Sequence, residues 1–163
     1  MSFLRRLLLL LTISVAGASA DQATAYEVLE SYGFPQGLLP KGVMSYKLDS
    51  STGKFSINLG KQCSFTIQGY DLKYKTTITG TISRNRIRNL TGIQVKLLFL
   101  WVNIVEVTKD GDDLELSVGI ASAGFPADGF EESPQCGCGF KCVNSGEIGG
   151  GFSFRNILSL VEI

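Results

Sequence analysis

The sequence predicts a mainly β protein, an antiparallel β-barrel of about eight strands with a short N-terminal helix. From Val43 onward, apolar and polar residues alternate with a period of two through most of the chain, as they do in an antiparallel sheet with one buried face. Turn signals separate the alternating runs, and one helical signature precedes them. A β-sandwich is the alternative architecture for this pattern.

The composition sets the first limits on function. The chain has 163 residues, of which 44% are hydrophobic and 18% charged, as expected for one domain with a core. Lys and Arg total 15, as do Asp and Glu, so the basic excess typical of nucleic-acid binding is missing. The absence of histidine excludes Ser-His-Asp and Cys-His nucleophile systems and imidazole zinc sites. We expect no cofactor and no bound metal.

Residues 1–20 have the pattern of a secretory signal peptide. Arg5 and Arg6 precede an apolar run over residues 7–17, and Ala18-Ser19-Ala20 is a cleavage motif. The apolar run is short for a bilayer span, although a retained anchor is the alternative. We therefore expect a mature protein without a transmembrane segment, in the secretory pathway, either extracellular (apoplast) or in an endomembrane lumen.

In an oxidising compartment, four cysteines predict two disulfides. The cysteines are Cys63, Cys136, Cys138 and Cys142. Three pairings are possible, and if all four residues pair, one bond joins Cys63 to the C-terminal cluster. The alternative, a metal site, does not match a standard zinc spacing.

A glycosylation sequon, Asn89-Leu90-Thr91, lies in the middle of the chain. In a secreted protein it predicts that Asn89 faces solvent.

The N-terminal helix is expected between Thr24 and Gly33. Thr24 and Glu27 have the spacing of a capping box. Gly33 and Pro35 end the helix, and an apolar stripe follows one side of it, formed by Ala25, Leu29 and Tyr32.

Strands follow over residues 44–48, 55–59, 63–67, 70–83, 93–107 and 114–120. Residues 109–113, with Asp110-Gly111, carry the strongest hairpin signal. Residues 93–107 are nearly all apolar, so both faces of this strand need cover. We expect Phe65, Phe99 and Trp101 to point inward and line a pocket. In the alternative, these aromatic side chains pack a solid core, and Leu98 and Leu100 lie under the helix.

The candidate catalytic residues are two acidic pairs, Asp112-Asp113 and Glu131-Glu132. Sequence neighbours on a strand point apart, and turn residues lack the burial that tunes a carboxylate for acid–base catalysis. We interpret both pairs as solvated loop charges and expect no catalytic residues.

Residues 143–163 are Gly-rich and apolar and match a lipid-anchor signal poorly. The predicted layout is a signal peptide (1–20), one barrel domain (21–142) and this tail (143–163).

Five stretches occur in a distinctive order: residues 26–40, ending in Phe34-Pro35-Gln36-Gly37-Leu38-Leu39-Pro40; the strand with Cys63; residues 74–80; residues 90–102; and residues 125–136. Together they resemble the plant domain-of-unknown-function 538 family, from about Tyr26 to Cys142. The resemblance implies a small secreted β-barrel with an N-terminal helix, no established enzyme activity, and links to growth, trichome or stress responses.

These observations predict a non-enzymatic binding module for a lipophilic small molecule or a lipid, since an eight-stranded barrel can hold one small ligand. The alternative is a hydrolase that acts on a plant lipid or pigment ester.

Overall fold

A computed structural model of the protein describes residues 22–139. The predicted signal peptide, Cys142 and the Gly-rich tail lie outside this part. The described chain contains one α-helix, two 3₁₀ turns (Gln36–Leu38 and Ala127–Phe130) and nine strands. The helix is α1 (Ala25–Ser31), and the strands are β1 (Ser45–Leu48), β2 (Lys54–Asn58), β3 (Cys63–Ile67), β4 (Tyr70–Ser83), β5 (Arg86–Leu97), β6 (Leu100–Asn103), β7 (Glu106–Asp110), β8 (Asp113–Ser117) and β9 (Ser122–Pro126).

The predicted helix and its capping box are confirmed. The Glu27 N–H donates to the Thr24 hydroxyl (3.2 Å), and the Thr24 N–H donates to the Glu27 carboxylate (2.7 Å). Hydrogen bonds from the Thr24 backbone N–H and the Thr24 side chain to the Glu27 carboxylate hold the pKa of that carboxyl below its usual value. Gly33 follows the last turn with a φ of 92°, a conformation that glycine adopts without penalty. The chain therefore leaves the helix where the sequence predicts.

The antiparallel, mainly β fold is confirmed, with nine strands in place of about eight. The long strands β4 and β5 pair with each other, and each has two further partners on its outer edge: β3 and β2 for β4, and β6 and β7 for β5. The order is β1-β2-β4-β5-β7-β8-β9. Within residues 22–139 no pairing joins β1 to β9, so the described sheet is open and the barrel closure is not seen.

The β4–β5 pair is irregular near its middle. The register shifts between the pairs Tyr74–Ile93 and Thr79–Thr91, and such bulges bend a sheet. Gly92 lies at this place with a φ of 93°, and a Cβ there would be 2.3 Å from the Thr77 carbonyl oxygen. Only glycine fits, and the bulge separates the pair into two halves.

The core lies on the inner face of this sheet. Helix α1 and two loop segments, residues 34–41 and 127–134, pack against one another and against it. The Ser133 hydroxyl donates to the Gln36 carbonyl (3.1 Å), and the Lys41 N–H donates to the Pro134 carbonyl (2.8 Å). Among the described residues, every fully buried side chain of the core is apolar or aromatic, and none is charged.

The prediction of one strand over residues 93–107 is wrong. The segment contains the end of β5, a two-residue turn at Leu98-Phe99, β6 and the start of β7, with Leu97 paired to Leu100. The turn contains none of the Gly, Asn, Asp or Pro residues that normally mark a hairpin, so its sequence predicts continued strand. By contrast, the predicted hairpin at Gly111-Asp112 is confirmed between β7 and β8.

Candidate functional site: an apolar cavity beside an exposed hairpin

Within residues 22–139, two neighbouring apolar cavities lie against the inner face of the sheet. The first, of about 70 Å³, lies between α1 and the sheet, against side chains such as Leu29, Ile78 and Leu90. The second, of about 80 Å³, lies at the other half of the β4–β5 pair. Ile104 and Leu116 contribute to the walls of both cavities. The two spaces are therefore neighbours with shared walls.

The second cavity is formed by three separate turns of the chain. Its walls include Ile67 and Tyr70 beside the β3–β4 turn, Leu97 from the β5–β6 hairpin, and Val118 and Ala121 beside the β8–β9 turn. The exposed surface of its wall is almost entirely apolar. Such a wall offers almost no hydrogen-bonding partner to a group inside the cavity.

Aromatic rings close one side of the second cavity. Tyr70 and Phe125 meet edge to face with ring centroids 5.5 Å apart, and Phe125 meets Phe130 in the same way at 6.2 Å. Edge-to-face pairs add to the stability of an aromatic cluster. Each of these three rings therefore packs against at least one other aromatic ring of the wall.

The expected inward orientation is confirmed for Phe65 and is wrong for Phe99 and Trp101. Phe65 is 4% exposed and stacks on Tyr74 with ring centroids 5.4 Å apart, although it lines neither cavity.

Phe99 is 80% exposed at the hairpin tip. Trp101 lies on the outer face, opposite Lys96 and with the Lys73 Nζ 4.0 Å from its ring centroid. The physical reason is the turn at Leu98-Phe99, which reverses the chain before Trp101.

The alternative position for Leu98 and Leu100, under the helix, is also wrong. Both leucines are exposed in the β5–β6 hairpin, together with Phe99. Sequence reasoning missed this exposed apolar tip because it treated the segment as one buried strand. Residues 97–102 are six consecutive apolar residues, a pattern that a strand buried on both faces shares with an exposed apolar hairpin, so the sequence carries no signal that separates the two.

The cysteine prediction is confirmed in its main point. Cys63 and Cys136 form a disulfide across a sequence separation of 73, and Cys138 is disulfide-bonded as well. Cys142 lies outside the described residues. Next to the bond, the Gly137 N–H donates to the Ser64 carbonyl (2.6 Å), so the C-terminal segment covers the outer edge of β3. No metal-binding group of three or more Cys, Asp or Glu side chains occurs in the described part of the chain.

Asn89 is exposed, as the sequon requires, with a φ of 51° in the irregular part of β5. Its glycosylation stays a prediction.

The acidic pairs do not approach either cavity. Asp112 and Asp113 lie in and after the β7–β8 turn, Glu131 and Glu132 follow the second 3₁₀ turn, and all four side chains are exposed. None of them lines a cavity. Their positions agree with the interpretation of both pairs as solvated charges.

The family described as "Protein of unknown function, DUF538" matches residues 25–131. The chain belongs to this DUF538 family. A curated Arabidopsis thaliana protein, named "Uncharacterized protein At5g01610", is 25% identical over 95 residues, which are 58% of this chain and 55% of that protein. The chain thus spans about half the length of this relative. The DUF538 match covers all nine strands and ends just before the segment that carries Cys136.

The helix content of the described part is small. Within residues 22–139, no helix has the length and hydropathy needed to cross a bilayer.

Proposed function

We propose that this protein is a non-enzymatic binding module for a lipophilic molecule with a linear alkyl or acyl chain. The observation that carries the proposal is the second cavity, whose wall is apolar and is built from three turns at one end of the sheet. Buried hydrocarbon contributes about 25 cal/mol per Å² of apolar surface removed from water. A chain end that enters the cavity gains this contribution without leaving a polar group unpaired.

The cavity volume favours a narrow ligand. A cavity of about 150 Å³ in another protein admits benzene, and the second cavity here has about 80 Å³. The end of a fatty acid or lysolipid chain fits a space of this size, whereas a rigid sterol does not. The rest of the chain then lies outside, against the exposed hairpin.

The same interior supports binding in preference to catalysis. A buried acid, base or nucleophile would be needed beside a substrate held in the cavity. The described core contains no charged side chain, and the Tyr74 hydroxyl, which is buried, donates to the Leu38 carbonyl (3.0 Å). The hydrolase hypothesis therefore has no candidate residue at this cavity.

The disulfide supports a location of the protein in the secretory pathway. Stable disulfides form in oxidising compartments and are rare in the cytosol, and the Cys63–Cys136 bond joins distant parts of this chain. We propose that the ligand is met in the apoplast or in an endomembrane lumen.

The test is a titration with a fluorescent fatty acid, together with native mass spectrometry of the secreted protein. The test variant is Ala123→Leu, since Ala123 lines the second cavity and the added carbons fill it. The matched control is Ala127→Leu, because Ala127 is also half-buried against the core but lines neither cavity.

We expect saturable binding to the unmodified protein and to Ala127→Leu, and a loss of at least about tenfold in affinity for Ala123→Leu, equivalent to about 1.4 kcal/mol. Equal binding by both variants would place the ligand elsewhere. No binding by the unmodified protein would remove the proposal.

A further inference from the structure

The exposed apolar side chains of this protein are concentrated at one end. Seven large apolar side chains are exposed within residues 22–139, and six belong to the β5–β6 hairpin or the β8–β9 turn: Leu97, Leu98, Phe99, Leu100, Trp101 and Ile120. Leu98 is 92% exposed and Ile120 is 97% exposed. Contiguous exposed apolar surface on a soluble domain marks a protein or membrane interaction site.

The hairpin and the β8–β9 turn are neighbours in space. Leu97 from the hairpin and Val118 and Ala121 from the turn line the same cavity. Ile120 lies between the two turn residues. The β5–β6 hairpin and the β8–β9 turn therefore flank one cavity, and both can contact the same flat surface.

The hairpin keeps a leucine where the backbone disfavours it. Leu98 has a φ of 56°, a left-handed conformation that glycine and asparagine adopt readily and that leucine rarely does. Its side chain makes up for none of this cost by burial, because it is exposed. The backbone strain at Leu98 is not offset by burial of its side chain, which favours a use for that side chain outside the fold.

Directly behind the apolar tip lies a group of aromatic and basic side chains, which we term the collar. The collar comprises Trp101, Lys96 opposite it on β5, and Lys73, whose Nζ lies over the indole ring. Lys75 is further along the same face of β4. The one acidic residue on this face of β4 is Asp71, which accepts a hydrogen bond from the Thr66 hydroxyl. Residues 118–126 carry no charge.

We propose that the β5–β6 hairpin and the β8–β9 turn dock the protein on a lipid bilayer that contains anionic phospholipid. Leu98, Phe99 and Ile120 enter the outer acyl region, while the collar lies among the head groups. Tryptophan is enriched at that depth, and lysine extends its ammonium group from there to the phosphates. The apolar residues of the tip match the acyl region of a bilayer, and the Trp and Lys residues behind it match the head-group region. This order of side chains fits a membrane better than a protein groove.

The proposal goes beyond the proposed function, because it depends on the outer surface and not on an occupied cavity. If both hold, the cavity opens at the membrane surface, where an acyl chain is available.

The experiment measures binding of the purified protein to vesicles of phosphatidylcholine and of an equimolar mixture of phosphatidylcholine and phosphatidylglycerol. Co-sedimentation gives the partition coefficient, and the emission of Trp101, the single tryptophan, reports its environment. We expect binding to the mixed vesicles with a blue shift, and weaker binding to phosphatidylcholine alone. Neither co-sedimentation nor a shift on mixed vesicles would overturn the proposal.

The decisive variant is the double substitution Leu98→Asn with Phe99→Ser. Asparagine suits the left-handed turn, so this variant should fold at least as well as the parent. We expect its partition coefficient to fall by about tenfold or more. The control is Met44→Ser, because Met44 is 74% exposed next to β1, which β2 and β4 separate from β5, and it should bind as the parent does.

Lys96→Gln tests the collar. We expect a fall of about fivefold on the mixed vesicles, suppressed by salt, and no change on phosphatidylcholine. Equal loss on both vesicles would contradict the assigned role of the lysine.

Two further results separate this proposal from its rivals. The cavity-filling variant Ala123→Leu should keep its vesicle binding, so a failed cavity and a failed membrane contact are distinguishable. If the double hairpin variant instead converts a dimer into a monomer in sedimentation, while vesicles bind neither protein, the surface belongs to a second copy of the chain and the proposal fails.

Discussion

The strand β5 ends in two-residue turns on both sides, and the two turns are opposites. At its start, Arg84-Asn85 connects β4 to β5; at its end, Leu98-Phe99 connects β5 to β6. Each turn has one residue in the left-handed conformation, Asn85 with a φ of 58° and Leu98 with a φ of 56°. Asparagine adopts this conformation readily, whereas leucine adopts it at a steric cost. Both turns therefore place a residue in the left-handed region, but only the first turn has a residue type that suits it.

The two turns also differ in their contacts: the first is hydrogen-bonded to other elements of the fold, and the second is exposed. The Asn85 N–H donates to the Tyr32 carbonyl (2.8 Å), and the Asn85 carbonyl accepts from the Lys109 N–H (3.0 Å). Next to it, Arg86 pairs with Glu106 at 3.0 Å. The polar turn thus ties α1, β5 and β7 together, whereas the side chains of Leu98 and Phe99 extend into solvent. One end of β5 is held by hydrogen bonds and an ion pair within the fold, and the other presents apolar side chains to solvent.

The largest expected difference separates an inner aromatic residue from one at the tip. Phe65→Ala should lower the free energy of unfolding by about 3–5 kcal/mol, because it leaves a cavity next to Tyr74. Phe99→Ala should change it by less than about 0.5 kcal/mol, as exposed substitutions do. Urea denaturation measures both. A comparable loss for Phe99→Ala would show that the tip is part of the core and would end the comparison.

The disulfide should give the next largest effect, since it joins the start of β3 to the C-terminal segment across 73 residues. Replacing Cys63 and Cys136 together by alanine should cost about 2–4 kcal/mol, because the bond restricts a long loop in the unfolded chain. Thermal unfolding with and without reductant provides the measurement. The purified protein should also contain no free thiol under denaturing, non-reducing alkylation, and labelling of Cys63 would contradict the pairing.

Exchanging the turn residues should produce effects of opposite sign. Asn85→Leu should destabilise the protein by about 1–2 kcal/mol, the penalty of a branched side chain in the left-handed region. Leu98→Asn should stabilise it by about 1 kcal/mol, because the penalty is removed and no buried contact is lost. If chemical denaturation gave changes in the free energy of unfolding with the same sign for both variants, the two turns would not be under comparable backbone strain.

The smallest effect concerns Tyr74, just before the bulge between the two halves of β4. Burial raises the pKa of the Tyr74 hydroxyl above its usual value. The unfolded chain ionises near pH 10, so stability is intact below about pH 10 and falls above it as the unfolded state loses its proton. Tyr74→Phe should cost about 1 kcal/mol at neutral pH, from the lost bond to Leu38, and should reduce the alkaline slope. An unchanged slope in urea titrations near pH 11 would show that other groups cause the decline.

Local patterns were sufficient for much of the fold. The capping box at Thr24 and Glu27 predicts where α1 begins, and Gly33 predicts where it ends, because these signals act within a few residues. Alternation predicts the inward face of β3, including Phe65, since side chains of a strand alternate by geometry. Asp110-Gly111 predicts the β7–β8 hairpin for the same local reason.

Other features depend on partners far away in the chain. The pairing of Cys63 with Cys136 was one of several that spacing allowed, and the position of Lys73 over Trp101 arises only when β4, β5 and β6 align. The turn at Leu98-Phe99 opposes its own local propensity and forms because β6 pairs with the end of β5 while β7 occupies the start of that strand. The cavity lies between three turns that are distant in sequence, so its existence and its exposed apolar rim follow from tertiary packing, in which long-range contacts outweigh the preferences of two residues.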